Sequence, residues 1–486
     1  MDNSSRVVVG RNLLWRLAER VGAKGVEFLV SIILARLLAP SVYGEIALIT
    51  VFITILQVFV DSGLGNALIQ KKDADDVDYS TVFYFNIFFC LCLYCLLFLF
   101  APMIASFYNN ISLIPVIRVL GLTIVISAIK NVQQAYVSKN MLFKRFFFAT
   151  LGGTIGAAIV GIITAYCGWG IWALVMQQIF NVTVDTLILW ITVKWRPKMM
   201  FSFKRLKSLY SFGWRLLASS LLETVYNDIR QLVIGKIYSA ADLAYYNRAK
   251  QFPQFITANI NTSINSVLFP AMSSVQDDRE RVKSMTRRAI KVSTYLMSPL
   301  MVGLAVCGEP IVRLILTDKW LPLLPYMTIF CITQTFLPIN TANLNAIKAM
   351  GRSDLYLKLE ILKKIVGLVF LLFTMNISIM AMAYSLLVSS FLSQIINSYP
   401  NKKLLNYSYL SQLKDIMPQL CIAFAMGGVV YCIKLFGLND ILTLLIQVPV
   451  GAIIYIAFSK IFHIDSFEYL INTVNGLFHR SKKKSE

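Results

Sequence analysis

A chain of 486 residues that is 57% hydrophobic and only 15% charged carries too much apolar surface for a soluble globular protein of its size. Its apolar runs recur along the whole length at about the 20 residues needed to cross a bilayer, which sets aside a β-barrel of short alternating strands. A net charge of +21 raises the question of nucleic acid, but the cations form no single stripe and no recognisable binding module. They alternate from loop to loop, the positive-inside pattern of a polytopic helical membrane protein.

The first apolar segment is long and charged and lacks a clear small-residue cleavage site, so it is expected to stay as the first membrane helix rather than be removed as a signal. Arg16, Arg20, Lys24 and Glu27 follow at steps of four, four and three residues, which puts them on one helical stripe. Charge inside a bilayer costs several kcal/mol per residue unless it meets water or a partner, so this stripe should face a polar interior. A second reading has Arg16 and Arg20 snorkel to the cytosolic headgroups.

About fourteen spans follow from hydropathy, near residues 11–37, 44–69, 79–106, 113–138, 146–167, 169–193, 213–237, 243–272, 288–313, 321–348, 355–376, 378–399, 415–436 and 439–460. The odd connections are short and nearly free of Lys and Arg. The even ones hold Lys71 and Lys72; Lys139, Lys144 and Arg145; the stretch from Lys194 to Lys207; and further basic stretches at 279–291, 348–358 and 402–414. Both termini are therefore expected in the cytoplasm, the tail held there by Arg480, Lys482, Lys483 and Lys484. Two basic segments, FSFKRLKSLYSFG at 201–213 and YSYLSQLKDIMP at 407–418, read either as amphipathic helices lying along the inner membrane surface or as ordinary cytosolic linkers.

The chain also reads as duplicated at an offset of about 200 residues. LARLLAPSVYGEIAL at 34–48 falls on GKIYSAADLAYYNRA at 235–249, both helix end, turn, helix start. Six spans separate the copies, and an even offset implies a parallel repeat. The expected fold is all-α: two parallel six-helix lobes, residues 1–200 and 201–400, the second preceded by the amphipathic linker. Residues 401–486 add an amphipathic segment, two C-terminal helices and a basic tail.

Charged residues inside the spans are the candidate site. Beyond the first helix they are Asp61, Arg118, Lys130, Asp185, Arg215, Glu223, Asp228, Arg230, Arg248 and Lys250, the last followed by the amides of Gln251, Gln254, Asn259, Asn261 and Asn265. Cations outnumber carboxylates, and a wet cationic vestibule attracts phosphate or pyrophosphate, while Asn and Gln suit hydroxyl-rich sugars. Arg16, Arg20, Lys24, Arg118, Lys130, Arg215, Arg230, Arg248 and Lys250 are the candidate substrate-binding cations. Glu19, Glu27, Asp61, Asp185, Glu223 and Asp228 read as structural ion-pair partners, such as Glu19 with Arg16 or Glu223 with Arg230, or as sites for a coupling H⁺ or Na⁺. The eight cysteines and two histidines make no metal or disulfide framework, and no cofactor beyond a coupling ion is expected.

The runs ILARLLAPSVYGEIAL (33–48), DSGLGNALIQKK (61–72), the Trp-Arg-Pro at 195–197, NAIKAMGRSD (345–354) and NYSYLSQLKDIMP (406–418) resemble the polysaccharide exporters of the multidrug/oligosaccharidyl-lipid/polysaccharide superfamily, which includes Wzx-like O-antigen and capsule flippases. The resemblance spans essentially the whole chain. It implies a two-lobed, fourteen-helix transporter of the bacterial cytoplasmic membrane. That transporter would turn over undecaprenyl-pyrophosphate-linked oligosaccharide by alternating access on an ion gradient, alongside a polysaccharide polymerase and a chain-length regulator. It also implies a cationic central cavity, at Arg16, Arg20, Lys24 and Arg215 here. Three other readings remain: a flippase for the peptidoglycan lipid precursor; a drug or ion antiporter of the same superfamily; and a membrane glycosyltransferase or polymerase, against which the short outward loops argue.

Overall fold

The computed structural model describes residues 15, 22–61 and 63–482. Among them every regular element is helical, and each hydropathy segment coincides with one helix or with a broken pair. Residues 22–37 form α1, the described part of the first span. The second span is α2 (Pro40–Asp61) and α3 (Leu64–Gln70), parted at Gly63, whose φ of −100° and ψ of −94° leave the helical region. Next come α4 (Asp76–Phe107), α5 (Leu113–Lys139), α6 (Phe143–Tyr166), α7 (Ile171–Thr192), α8 (Phe203–Ile237) and α9 (Ala240–Ser273). The ninth span is α10 (Arg279–Val306) with the short α11 (Gly308–Leu316), and the tenth is α12 (Leu324–Thr335) with α13 (Leu337–Ala349). Prolines stand in the first turns of α12 and α13, where a missing N–H costs nothing because the first-turn donors have no helical acceptor. Then follow α14 (Ser353–Thr374), α15 (Ile379–Leu405), α16 (Tyr409–Lys434), α17 (Asp440–Ile461) and α18 (Asp465–Lys482).

Ten helical segments among the described residues are long and apolar enough to cross a membrane. The spans that fall short are the described part of the first, together with α8, α9 and α14. Two of them, α8 and α9, carry six of the fifteen candidate charges. Helices α4 and α6 are the opposite case: α4 exposes Phe88, Leu99 and Met103, and α6 exposes Ile155, Ile159 and Ile163 at four-residue steps. A stripe of that kind is stable only against acyl chains. The chain is a multi-pass helical membrane protein.

Two expectations about segment ends differ from the structure. The basic stretch at 201–213 is continuous with the seventh span in one 35-residue helix, and the stretch at 407–418 likewise runs into α16. Gly213 and Pro418, at the ends of these stretches, are both carried within their helices. The chain past 464 is not a plain tail, since α18 packs Phe467 and Leu470 against a cluster that includes Tyr295, Ile422, Tyr455 and Ile464.

The chain divides into two compact units, residues 1–244 and 245–486. The turn at 38–39 recurs 200 residues on with the same closing bond. Helix ends at 37 and restarts at Pro40; it ends at Ile237 and restarts at Ala240. Leu38 N donates to Leu34 O at 2.8 Å, and Tyr238 N to Ile234 O at 2.9 Å. The second turn packs on α2 inside the first unit, where a Cβ on Gly44 would lie 1.7 Å from the Ala240 carbonyl oxygen. Only glycine permits that approach.

Candidate functional site

Residues Gln57 and Asp61 sit one turn apart on α2, and Lys130, Asn131 and Gln134 share a face of α5. With Asn66 of α3 they line a polar cavity of about 350 Å³ in the first unit. Gln57 Nε2 donates to both Asp61 carboxylate oxygens at 3.2 Å. Lys130 Nζ donates to Asp185 Oδ2 of α7 at 2.7 Å, and the two side chains are only 14% and 11% exposed. The remaining oxygen, Asp185 Oδ1, is buried without a hydrogen-bond partner. Asn86 of α4 donates to Asn131 Oδ1 at 3.2 Å, and a Cβ on Gly65 would press to 2.9 Å from that same oxygen. Glycine at 65 therefore keeps α3 close enough to α5 to form the wall.

This grouping holds one ammonium, Lys130, against two carboxylates, Asp61 and Asp185. The cation excess expected along the chain does not extend to it, and what it suits is a small cation or a proton as much as an anion.

The other candidates lie elsewhere. Lys24 pairs with Glu27 at 2.5 Å on an exposed face of α1. Arg118, at the other end of α5 from Lys130, stacks its guanidinium 4.1 Å from the centre of the Phe98 ring on α4, a contact that offsets part of its desolvation. On α8, Arg215 is exposed, and Glu223 accepts from Asn227 at 3.2 Å. Further along, Asp228 accepts from Gln231 at 2.7 Å, and Arg230 is half-buried. On α9, Arg248 is buried, donates to Gln251 at 2.7 Å and lies 5.8 Å from the Trp320 ring, while Lys250 is half-buried. Arg16, Glu19 and Arg20 lie outside the described residues.

The second unit holds a neutral counterpart. Asn397 Nδ2 of α15 donates to Asn340 Oδ1 of α13 at 2.9 Å, and Thr341 donates to Asn261 at 2.7 Å. Asn345 donates to Asn265 at 2.5 Å. A deeper knot joins Asn343, Ser398, Asn401 and Gln412, all buried, with Gln412 Nε2 to Asn343 Oδ1 at 3.1 Å and Asn401 Nδ2 to the same oxygen at 2.7 Å.

Sequence reasoning passed over a second charged cluster, at the start of α4. Asp75 and Asp78 form a reciprocal capping box. Asp78, fully buried, also takes Lys71 at 2.6 Å and Arg205 at 3.2 Å. The Asp78 backbone N–H, and then the Arg205 guanidinium, hold the Asp75 carboxyl below the usual carboxylate range. Trp195 Nε1 donates to Asp76 at 3.1 Å, and Arg196 donates to the carbonyls of Val193 and Trp195, capping the end of α7. The signal was present in DSGLGNALIQKK and Trp-Arg-Pro, whose charged ends meet here. Among the described residues no three His, Cys, Asp or Glu side chains converge on a metal position.

Residues 33–325, well over half of the chain, match the family model described as "Polysaccharide biosynthesis protein". The chain belongs to this family. Relatives include the succinoglycan biosynthesis transport protein ExoT of Rhizobium meliloti, 24% identical over 71% of this chain and 70% of its own length. The teichuronic acid biosynthesis protein TuaB of Bacillus subtilis is 24% identical over 82% and 84%. The lipopolysaccharide biosynthesis protein WzxC of Escherichia coli is 23% identical over 85% and 86%. Among solved structures, the lipid II flippase MurJ in an inward closed conformation superposes with a TM-score of 0.76 at 16% identity, covering 93% of this chain and 99% of that one. An inward-facing multidrug resistance MATE transporter gives 0.62 at 14% identity, covering 78% and 94%. The fold is that of the superfamily to which MurJ and the MATE transporters belong, as the sequence resemblance implied.

Proposed function

We propose that the chain is a flippase that carries undecaprenyl-pyrophosphate-linked oligosaccharide across the bacterial cytoplasmic membrane by alternating access, for surface polysaccharide synthesis. The observation that carries this reading is a family match over 33–325 on a chain whose helices α8 and α9 are too polar, through the charges of both and the amides along α9, to be ordinary lipid-facing spans. Charge of that kind persists in a membrane only where water or a polar cargo meets it. Arg and Lys supply the donors a pyrophosphate needs, and the amides on α9 suit the sugar hydroxyls. The relatives carry names of transport and biosynthesis proteins for polysaccharides, which supports a transporter over an enzyme. Both termini are assigned to the cytoplasm on the loop charges, and a polymerase and a chain-length regulator would take the product on the far side.

Asp61, Lys130 and Asp185 have the composition of a coupling site. A carboxylate that gains a proton or Na⁺ would release Lys130 from Asp185 and change how α5 and α7 are pinned. The fold likeness to the lipid II flippase favours one second reading, a peptidoglycan lipid precursor as cargo.

Replacing Lys24 or Arg215 by Gln tests the assignment in cells lacking the native gene, with protein abundance measured in the same membranes. Each variant should accumulate normally and lower surface polysaccharide by about tenfold, the effect of one charged hydrogen bond. Full polysaccharide from both variants would remove these cations from the route. Restoration of peptidoglycan synthesis in a precursor-flippase mutant would favour the second reading.

A further inference from the structure

Outside the cavity and the helix-end cluster, the second unit has a pocket of about 350 Å³ between the first turns of α10 and the start of α18. Ser284, Arg287, Arg288 and Lys291 reach it from one face of α10, at steps of three and four residues; Ser466 and Tyr469 close it from α18. Two of the cations are already occupied: Arg287 makes a bidentate pair with Asp415, at 2.8 and 2.5 Å, and Lys291 bonds Asp465. Arg288 has an aromatic face instead of a carboxylate, its guanidinium 5.0 Å from the Tyr469 ring centre. The pocket is therefore one positive charge in excess. The Asp465 side chain, 76% exposed, is directed mostly to the outside.

The second observation is Ser466. It is 2% exposed, it lines the pocket, and its Oγ has no hydrogen-bond partner among the described residues. A buried hydroxyl without a partner is costly, and a ligand with strong acceptor oxygens would remove that cost. We infer that this pocket holds the phosphate of an acidic phospholipid headgroup, with Arg288 and Ser466 as donors. A lipid source is favoured over free phosphate by location. The pocket lies on the basic 279–291 stretch assigned to the cytoplasmic surface, under a helix that buries Phe467 and Leu470 and leaves Tyr469 and Ile471 exposed. Basic pockets beside membrane helices with an interfacial aromatic are where anionic headgroups dock. The inference does not depend on the identity of the cargo.

The test is native mass spectrometry of the purified full chain in detergent, titrated with phosphatidylglycerol or phosphatidylcholine. The wild type should retain one phosphatidylglycerol in preference to phosphatidylcholine. R288Q and S466A should each weaken that retention about fivefold or more, the effect of one headgroup contact. R281Q, an exposed cation of the same helix paired with Asp278 outside the pocket, should leave it unchanged. Equal retention of the two lipids by the wild type would overturn the inference, as would wild-type retention by both R288Q and S466A. Displacement of the lipid by millimolar inorganic phosphate would overturn the lipid source.

Discussion

The two units solve one packing problem with different chemistry. In the first, the fourth and sixth spans are pinned by a charge pair, Lys130 with Asp185 across 55 residues of sequence; in the second, the tenth and twelfth are pinned by an amide pair, Asn397 with Asn340 across 57. Asp61 of α2 faces its cavity and accepts from Gln57, while 200 residues on Asn261 of α9 is bonded by Thr341. An amide pair is satisfied at any physiological pH and has no reason to open. A charge pair in a low-dielectric interior holds only while both partners stay ionised. The first unit therefore pins its spans with opposite charges, and the second with neutral amides.

The sharpest break of this comparison removes one partner of the charge pair. Lys130→Ala leaves Asp185 buried and unpaired and should cost about 3–5 kcal/mol, read from unfolding of the purified chain in detergent. Converting the pair to the second unit's chemistry, Lys130→Asn with Asp185→Asn, should restore stability to within about 1 kcal/mol of wild type. If the double variant is as unstable as the single one, the two pairs are not equivalent. Next in size is the second unit's knot. Asn343→Ala strands Gln412 and Asn401 and should cost about 1–3 kcal/mol, with no change in the pH profile of stability, since none of the three titrates. At the end of α4, Trp195→Phe loses the bond to Asp76 and should cost about 1 kcal/mol.

The smallest effect concerns Asp75. Its carboxyl is lower in the folded chain than when unfolded, so its contribution is fully present above the ordinary carboxylate value of about 4 and is lost as pH falls through the lower folded value. Amide exchange around 71–78 should accelerate only under such acid conditions. Arg205→Gln should shift that onset to higher pH.

Among the described residues each hydropathy segment falls on a helix or a broken pair, and ten segments are long and apolar enough to cross a membrane, because apolar length is a local property of the chain. Hydropathy also marked Lys130 and Asp185 as charges that lipid would not tolerate. Their pairing was not legible, because it depends on how α5 and α7 rotate about their own axes, and twenty apolar residues do not set that angle. The breaks at Gly63 and Phe336 were hidden for a related reason: each half-span is apolar, and only the end of helical hydrogen bonding marks the joint. The motif residues show the converse. Gly44, Gly65, Trp195, Asn345 and Gln412 were legible as a family pattern, and the structure gives them close approaches and helix-end bonds. None but Gly65 borders the polar cavity.

Transport in a purified system tests the central claim most directly. The wild-type chain, reconstituted in liposomes, would be supplied with a fluorescent oligosaccharide on undecaprenyl pyrophosphate, or with the same oligosaccharide on a neutral isoprenoid, and scored for movement between leaflets. The account predicts that the pyrophosphate-linked sugar crosses and the neutral one does not, and that Lys24→Gln or Arg215→Gln slows the first about tenfold. Equal movement of both lipids, or of neither, would contradict it.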